Sequence, residues 1–152
     1  MRVVVQRSKE ASVRVDNKVV GKIDNGLVIL VGFTEGDNEL IIDKMINKVI
    51  NLRIFDDENG VMNKSLLDDN GDILSISQFT LYADTRKGRR PSYVKALRGE
   101  ESTLLYDIWN NKLRGSGIKV ETGIFGADMK VSLVNDGPVT IMIDSEEFND
   151  KK

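Results

Sequence analysis

The sequence predicts a single α+β domain of mostly antiparallel, barrel-like sheets with two main helices. Three observations predict it. Seven or eight short apolar segments are separated by turns rich in Gly, Asn and Asp. Two longer segments repeat apolar residues at helical spacing. No internal repeat or Pro/Ser-rich linker divides the 152 residues, a length that suits one domain of ~100–200 residues.

The elements follow in order. Residues 3–8 read as a buried strand with Gln6 and Arg7 at its end. Ala11, Val13 and Val15 alternate with Ser12 and Arg14, Asp16-Asn17 is a turn signal, and residues 19–23 return, which makes a hairpin. Asp24-Asn25-Gly26 reads as a further turn. Residues 27–33 are almost wholly apolar, as in a central strand covered on both faces. Asp37 or Asn38 can cap a helix whose stripe is Ile41, Ile42, Met45, Ile46, Val49 and Ile50, ending near Leu52. Residues 53–55 read as a short strand. The acidic run 56–60 lacks the spaced ligands of a calcium loop and reads as a solvated turn. Ile73, Leu74 and Ile76 begin another strand.

Residues 101–113 predict the second helix, with Ser102 or Thr103 near its N-cap and Leu104, Leu105, Ile108, Trp109 and Leu113 on its buried face. Residues 118–122 and 129–134 alternate as strands around a Gly-flanked turn. Asn135-Asp136-Gly137-Pro138 is a dense turn signal before a last strand at 139–143. The domain is expected to span residues 1–145, followed by an acidic, polar tail at 146–152 that frays.

Composition narrows the chemistry. The net charge of −2 makes no general case for nucleic-acid binding, so any RNA contact needs a local patch. No apolar run approaches the ~20 residues of a membrane span, and the N-terminal apolar run is too short for a signal sequence. A cytoplasmic protein without membrane partners is the expectation. The chain has no Cys, which excludes disulfides, thiolate nucleophiles and Cys-based zinc sites. It also has no His, so neither a Ser-His-Asp triad nor a His base or metal ligand can exist. No metal or organic cofactor is expected. A hydrolase built from this chain must rely on a carboxylate, a Lys, backbone groups or a group on the substrate.

Four features stand out against that background. Ser77, Gln78 and Thr80 put hydroxyls and an amide where a strand would continue with apolar residues, so the stretch either runs out to the surface or faces something polar. Arg86, Lys87, Arg89 and Arg90 form the one concentrated basic patch, either a solvated loop or a phosphate contact beside a site. Gly137-Pro138 contains one of the chain's two prolines and is either an ordinary turn or a cis bond aiming two carbonyls in one direction. Arg7 is either a surface residue or a multiple donor that fixes exposed carbonyls near such a turn.

Ser77-Gln78-Phe79-Thr80-Leu81, taken with Asn135-Asp136-Gly137-Pro138-Val139-Thr140, resembles the D-aminoacyl-tRNA deacylase family of bacteria and eukaryotes. The resemblance extends to Met1-Arg2-Val3-Val4-Val5-Gln6-Arg7, to residues 84–92 and to residues 122–129, and so covers nearly the whole chain. Asp136 departs from the pattern, adding a charge beside the Gly-Pro pair. The resemblance implies the family's fold and hydrolysis of the ester in D-aminoacyl-tRNA, with glycyl-tRNA mischarged on alanine tRNA as a second substrate. It implies a homodimer in which Gly137-Pro138, cis and held by Arg7, reaches into the partner's pocket. Carbonyls placed over the substrate Cα would exclude an L side chain and could not reject glycine.

Ser77, Gln78, Phe79 and Thr80 would be the catalytic stretch, and Phe125 and Met129 would line an adenosine pocket unless they are ordinary core. Arg86, Lys87, Arg89 and Arg90 would contact acceptor-stem phosphates. Thr80 is the obvious nucleophile, but nothing in the stretch can act as its base. The favoured route therefore uses the ribose 2′-OH to orient water, with backbone N–H groups of residues 77–79 polarising the ester carbonyl. Two alternatives stay open: a nucleic-acid-binding module on the same fold without catalysis, and a related deacylase with a trans Gly-Pro that tolerates L-alanine.

Overall fold

The computed structural model describes residues 1–149 and contains one five-stranded sheet, a small two-stranded sheet and three α-helices. The strands are β1 (Arg2–Val15), β2 (Lys18–Gly32), β3 (Phe55–Asp56), β4 (Met62–Lys64), β5 (Asp72–Ser77), β6 (Val120–Thr122) and β7 (Lys130–Asp144). The helices are α1 (Glu39–Asn51), α2 (Leu66–Asp69) and α3 (Glu100–Gly115). The main sheet runs in the order β6-β5-β2-β1-β7, and β3 pairs with β4. β1 is antiparallel to β2 and β7, whereas β5 is parallel to both β2 and β6. The parallel half explains why β5 is so apolar: its strand is covered on both faces.

Helices α1 and α3 lie against one face. Ile42, Met45 and Val49 of α1 and Leu105, Trp109 and Leu113 of α3 share a core with Val3, Val5, Leu27, Ile29 and Ile73. The opposite face, carrying Val28, Leu74 and Ile76, is covered by the chain itself. Ala11, Val13 and Ile23, from the far ends of β1 and β2, fold over it, joined by Met129 and Leu133. Register shifts at Val13/Arg14 in the β1–β2 pair and at Lys9/Ala11 in the β1–β7 pair accompany this curl, as bulges bend the strands that carry them. The Lys22 N–H reaches the Glu121 carboxylate at 3.2 Å, tying the arm to β6.

Several sequence expectations change here. Asp24-Asn25-Gly26 is not a turn but lies within β2, where Gly26, at φ +147°, packs directly on the Asp72 backbone. The two predicted N-terminal strands are one strand, and the two predicted C-terminal strands are both parts of β7. Asn38 caps α1 through its side chain, while Asp37 binds the N-terminal ammonium at 2.9 Å and the Thr34 N–H at 2.8 Å. Helix α3 begins after Gly99, so Ser102 lies buried in its first turn and does not cap it, and Leu104 faces outward at 59 % exposure. Helix α2 was not anticipated, although Ser65 and Asp68 form a capping box at its start.

The polar tail expected to fray begins as a 3-10 turn, Ser145–Asn149, with Ser145 bonded to Met1 and Phe148 packed on the core. The rest of that tail, residues 150–152, lies outside the described residues.

Candidate active site

β5 delivers the central stretch. α3 fixes this strand from behind: Trp109 Nε1 donates to Ser75 Oγ at 3.2 Å, and the Tyr106 hydroxyl donates to the Ser75 carbonyl at 2.7 Å. The strand ends at Ser77, and the chain turns at Gln78 into a 3-10 segment, Phe79–Tyr82. The polar residues that interrupt the apolar pattern therefore mark the point where the strand stops. Arg2 braces the turn by donating to the Leu81 carbonyl at 2.9 Å and to the Asp144 carboxylate at 2.9 Å. Its guanidinium also lies 4.4 Å from the centroid of the Tyr82 ring. Burial, with the negative charges of Asp37 and Asp144, pushes the Tyr82 phenol well above its ordinary range.

A cleft of about 260 Å³ opens at this turn. Ser77, Gln78 and Phe79 form one wall, and Phe125 and Met129 stand opposite on the segment between β6 and β7. Val31 and Phe33, at and beyond the end of β2, close the floor. Five residues singled out from the sequence thus share one concavity. Phe125 and Met129 also pack against the two cores, so each serves as both wall and packing.

The structure corrects the expected set of backbone donors. The Gln78 N–H is spent on the Val31 carbonyl at 2.7 Å and cannot polarise a substrate. Among the described residues the N–H groups of Phe79 and Thr80 have no acceptor and remain available. Thr80 does not line the cleft; its Oγ1 accepts from Gln78 Nε2 at 2.5 Å, and among the described residues no carboxylate or amine is bonded to it. The carboxylate that lines the cleft, Asp128, is engaged by Lys130 at 3.0 Å. Ser102 also lines the cleft, a residue the sequence placed near a helix cap that lies three residues earlier, at Gly99.

Gly137 and Pro138 are elsewhere. Gln6 pairs with Thr140 and Ser8 with Asn135, so the single residue Arg7 stands opposite four residues of β7. The excess loops out with Gly137 and Pro138 exposed at its tip and a cis peptide between them. Arg7 fills the gap beneath. Its Nε donates to the Asp136 carbonyl at 2.8 Å, and Nη1 donates to the Ile54 carbonyl at 2.9 Å and approaches the Asp56 carboxylate at 3.3 Å. Asn135, not assigned a role from sequence, clamps the base: its Oδ1 accepts from the Val139 N–H and its Nδ2 donates to Thr140 Oγ1, both at 2.8 Å. Asp136 points its carboxylate at Arg7, 3.7 Å from Nε, so the departure from the motif adds a partner for the same guanidinium.

The basic loop is pinned by the Asp84–Ser92 bridge. Arg86 folds back on Asp84, the closest contact being 2.6 Å, and this holds the Asp84 carboxyl well below the usual range. Lys87, Arg89 and Arg90 are exposed and, among the described residues, outside any ion pair.

The model of the D-Tyr-tRNA(Tyr) deacylase family matches residues 4–144. A D-aminoacyl-tRNA deacylase of Brevibacillus brevis is 57% identical over 145 residues, covering 95% of this chain and all of the relative. One of Listeria monocytogenes is 55% identical over 151 residues, covering 99% of this chain and all of that relative. Among solved structures, a c-Myc DNA unwinding element binding protein superposes with TM-score 0.89 at 36% identity, over 95% of this chain and 98% of that one. A probable eukaryotic D-amino acid tRNA deacylase shares the fold at TM-score 0.82 and 19% identity, over 93% and 97% of the two chains.

Proposed function

Because the chain belongs to the D-Tyr-tRNA(Tyr) deacylase family, we propose that the cleft beside Ser77–Phe79 is where it cleaves the ester of D-aminoacyl-tRNA. It is an ester hydrolase, a D-aminoacyl-tRNA deacylase, acting on tRNA. The observation that carries the assignment to this cleft is the convergence of Ser77, Gln78, Phe79, Phe125 and Met129 on one concavity from distant parts of the chain.

The terminal adenosine lies between Phe125 and Met129, and the ester carbonyl points at the free N–H group of Phe79. Water attacks the carbonyl carbon, the bond to the ribose 3′-oxygen breaks, and that oxygen leaves with a proton. The neighbouring 2′-OH orients the water. Thr80 is a pocket support, because its hydroxyl is held by Gln78 and no base among the described residues is bonded to it. Residues 1–145 form the catalytic domain, and the protein works in the cytoplasm.

The selective wall comes from a second copy of the chain. Gly137 and Pro138 are displayed away from their own subunit's cleft, on the edge strand β7, which also exposes Val134 at 56 % and Met142 at 77 %. In a homodimer covering that edge, the tip of each bulge enters the partner's cleft and sets its carbonyls over the substrate Cα. An L side chain collides there; a D side chain and glycine do not, so glycine on alanine tRNA is also removed. Lys87, Arg89 and Arg90 hold acceptor-stem phosphates.

A nucleic-acid-binding module is the second reading, favoured by the name of the 36% identical structural relative. Rates on D-tyrosyl-tRNA and L-tyrosyl-tRNA separate the two. Cleavage of the D ester alone is the expected result. Equal cleavage of both would overturn the chiral filter, and absence of cleavage would leave the binding module.

A further inference from the structure

We propose that Phe79, Tyr93 and Arg98 form a subsite for the nucleotide immediately 5′ of the terminal adenosine. This deepens the reading of the cleft as the deacylation site and rests on it. The Phe79 ring lines the cleft and is 41 % exposed, so it continues outward from the pocket as its rim. Tyr93 meets it edge-on, with ring centroids 5.2 Å apart and planes at 70°. The Arg98 guanidinium lies over both rings, 4.4 Å from the Phe79 centroid and 5.7 Å from the Tyr93 centroid. Among the described residues Arg98 has no carboxylate partner, and its side chain is exposed.

An aromatic pair with one ring exposed and the other half-buried, capped by an unpaired cation, is poorly explained by folding, because none of the three sits in either core. It has the chemistry of a single-stranded RNA contact. Aromatic faces stack on any base, and a guanidinium pairs bidentately with phosphate. Its position fits as well. Tyr93 directly follows the bridge at Ser92 that closes the basic loop, so the cluster stands between the cleft and Lys87, Arg89 and Arg90. A 3′ end seated in the cleft passes these rings before its acceptor stem reaches the loop. Arg98 takes the phosphate linking the last two nucleotides, and Tyr93 takes the face of the penultimate base.

The test compares two substrates of the intact protein: D-tyrosyl-tRNA and D-tyrosyl-adenosine, which lacks that phosphate and base. For R98Q and Y93A, the ratio of kcat/KM on tRNA to kcat/KM on the adenosine ester should fall about five- to tenfold, through KM on tRNA. The R98Q variant should also flatten the salt dependence of that KM by about 0.7 in log–log slope, one single-strand phosphate contact. Y93F should retain the wild-type ratio because it keeps the ring. An unchanged ratio in both R98Q and Y93A, with wild-type protein active on tRNA, overturns the subsite. A change in the mass of the assembly on R98Q also overturns it, assigning the surface to a subunit contact. Wild-type protein inactive on both esters would instead overturn the assignment of the cleft.

Discussion

Replacing Arg7 by Met removes the guanidinium and keeps an unbranched stem. Arg7 is 8 % exposed and serves two backbone carbonyls, at Asp136 and Ile54, at 2.8 and 2.9 Å. A hydrogen bond from a charged donor contributes about 1.5–3 kcal/mol, and a carbonyl left without a partner loses that contribution. The Ile54 bond is buried and takes a middle value; the Asp136 bond is partly solvated and takes the lower one. The contact to Asp56 adds under about 1 kcal/mol, since that carboxylate is half exposed. The loss is therefore about 4–5 kcal/mol. At this chain length that lowers Tm by roughly 10 °C, from about 2–4 °C per kcal/mol. The assay is thermal unfolding at fixed protomer concentration, because dimerisation would otherwise move Tm by mass action. R7K should recover part of the loss, since an ammonium cannot present the guanidinium fork to two carbonyls. A Tm for R7M within about 2 °C of wild type would refute the claim that this guanidinium supports the β7 bulge.

Three further outcomes follow from the same geometry. T80A should keep deacylation of D-tyrosyl-tRNA within about tenfold of wild type, because Thr80 lies outside the cleft and lacks a base; a loss beyond a thousandfold would restore it as nucleophile. Charge reversal at Arg89 and Arg90 should raise KM for tRNA and flatten its log–log salt slope by about 1.5, whereas R86Q should do less, because Arg86 is already paired with Asp84. The Tyr82 phenol is raised on folding chiefly by burial, so the neutral form is the one the fold accepts. Its contribution is complete below the unfolded value near about 10 and is lost as pH rises towards the higher folded value. Urea midpoints of wild type and Y82F should therefore converge or cross above pH about 10, and a constant offset from pH 8 to 11 would refute the assignment.

The two ends of the catalytic stretch show what was legible in the residues and what was not. Ile73, Leu74 and Ile76 read as a buried strand because burial on both faces demands apolar residues regardless of partners. Gln78 read as a backbone donor, yet its N–H is consumed by Val31, a residue far away in sequence. Similarly, Asn135 and Gly137-Pro138 carried every local mark of a hairpin turn. They became a bulge because β1 continues past them on one side, a fact set by pairing rather than by propensity. Tyr93 and Arg98 gave no signal at all, since neither has a periodic pattern to break.

By itself the sequence determined the α+β class, the positions of α1 and α3, the absence of thiol and imidazole chemistry, and the motif residues through which the chain resembles its family. These depend on local composition and on the 2.0 and 3.6 periodicities, which a linear chain displays directly. Tertiary structure alone decided the parallel pairing of β5, the curl that lays β1 and β2 over the second core, and the registers that set four residues of β7 against Arg7. It also decided which N–H groups around Phe79 stay free. Each of these depends on which distant backbone meets which, and hydrogen bonds between strands carry no mark in the residues that form them.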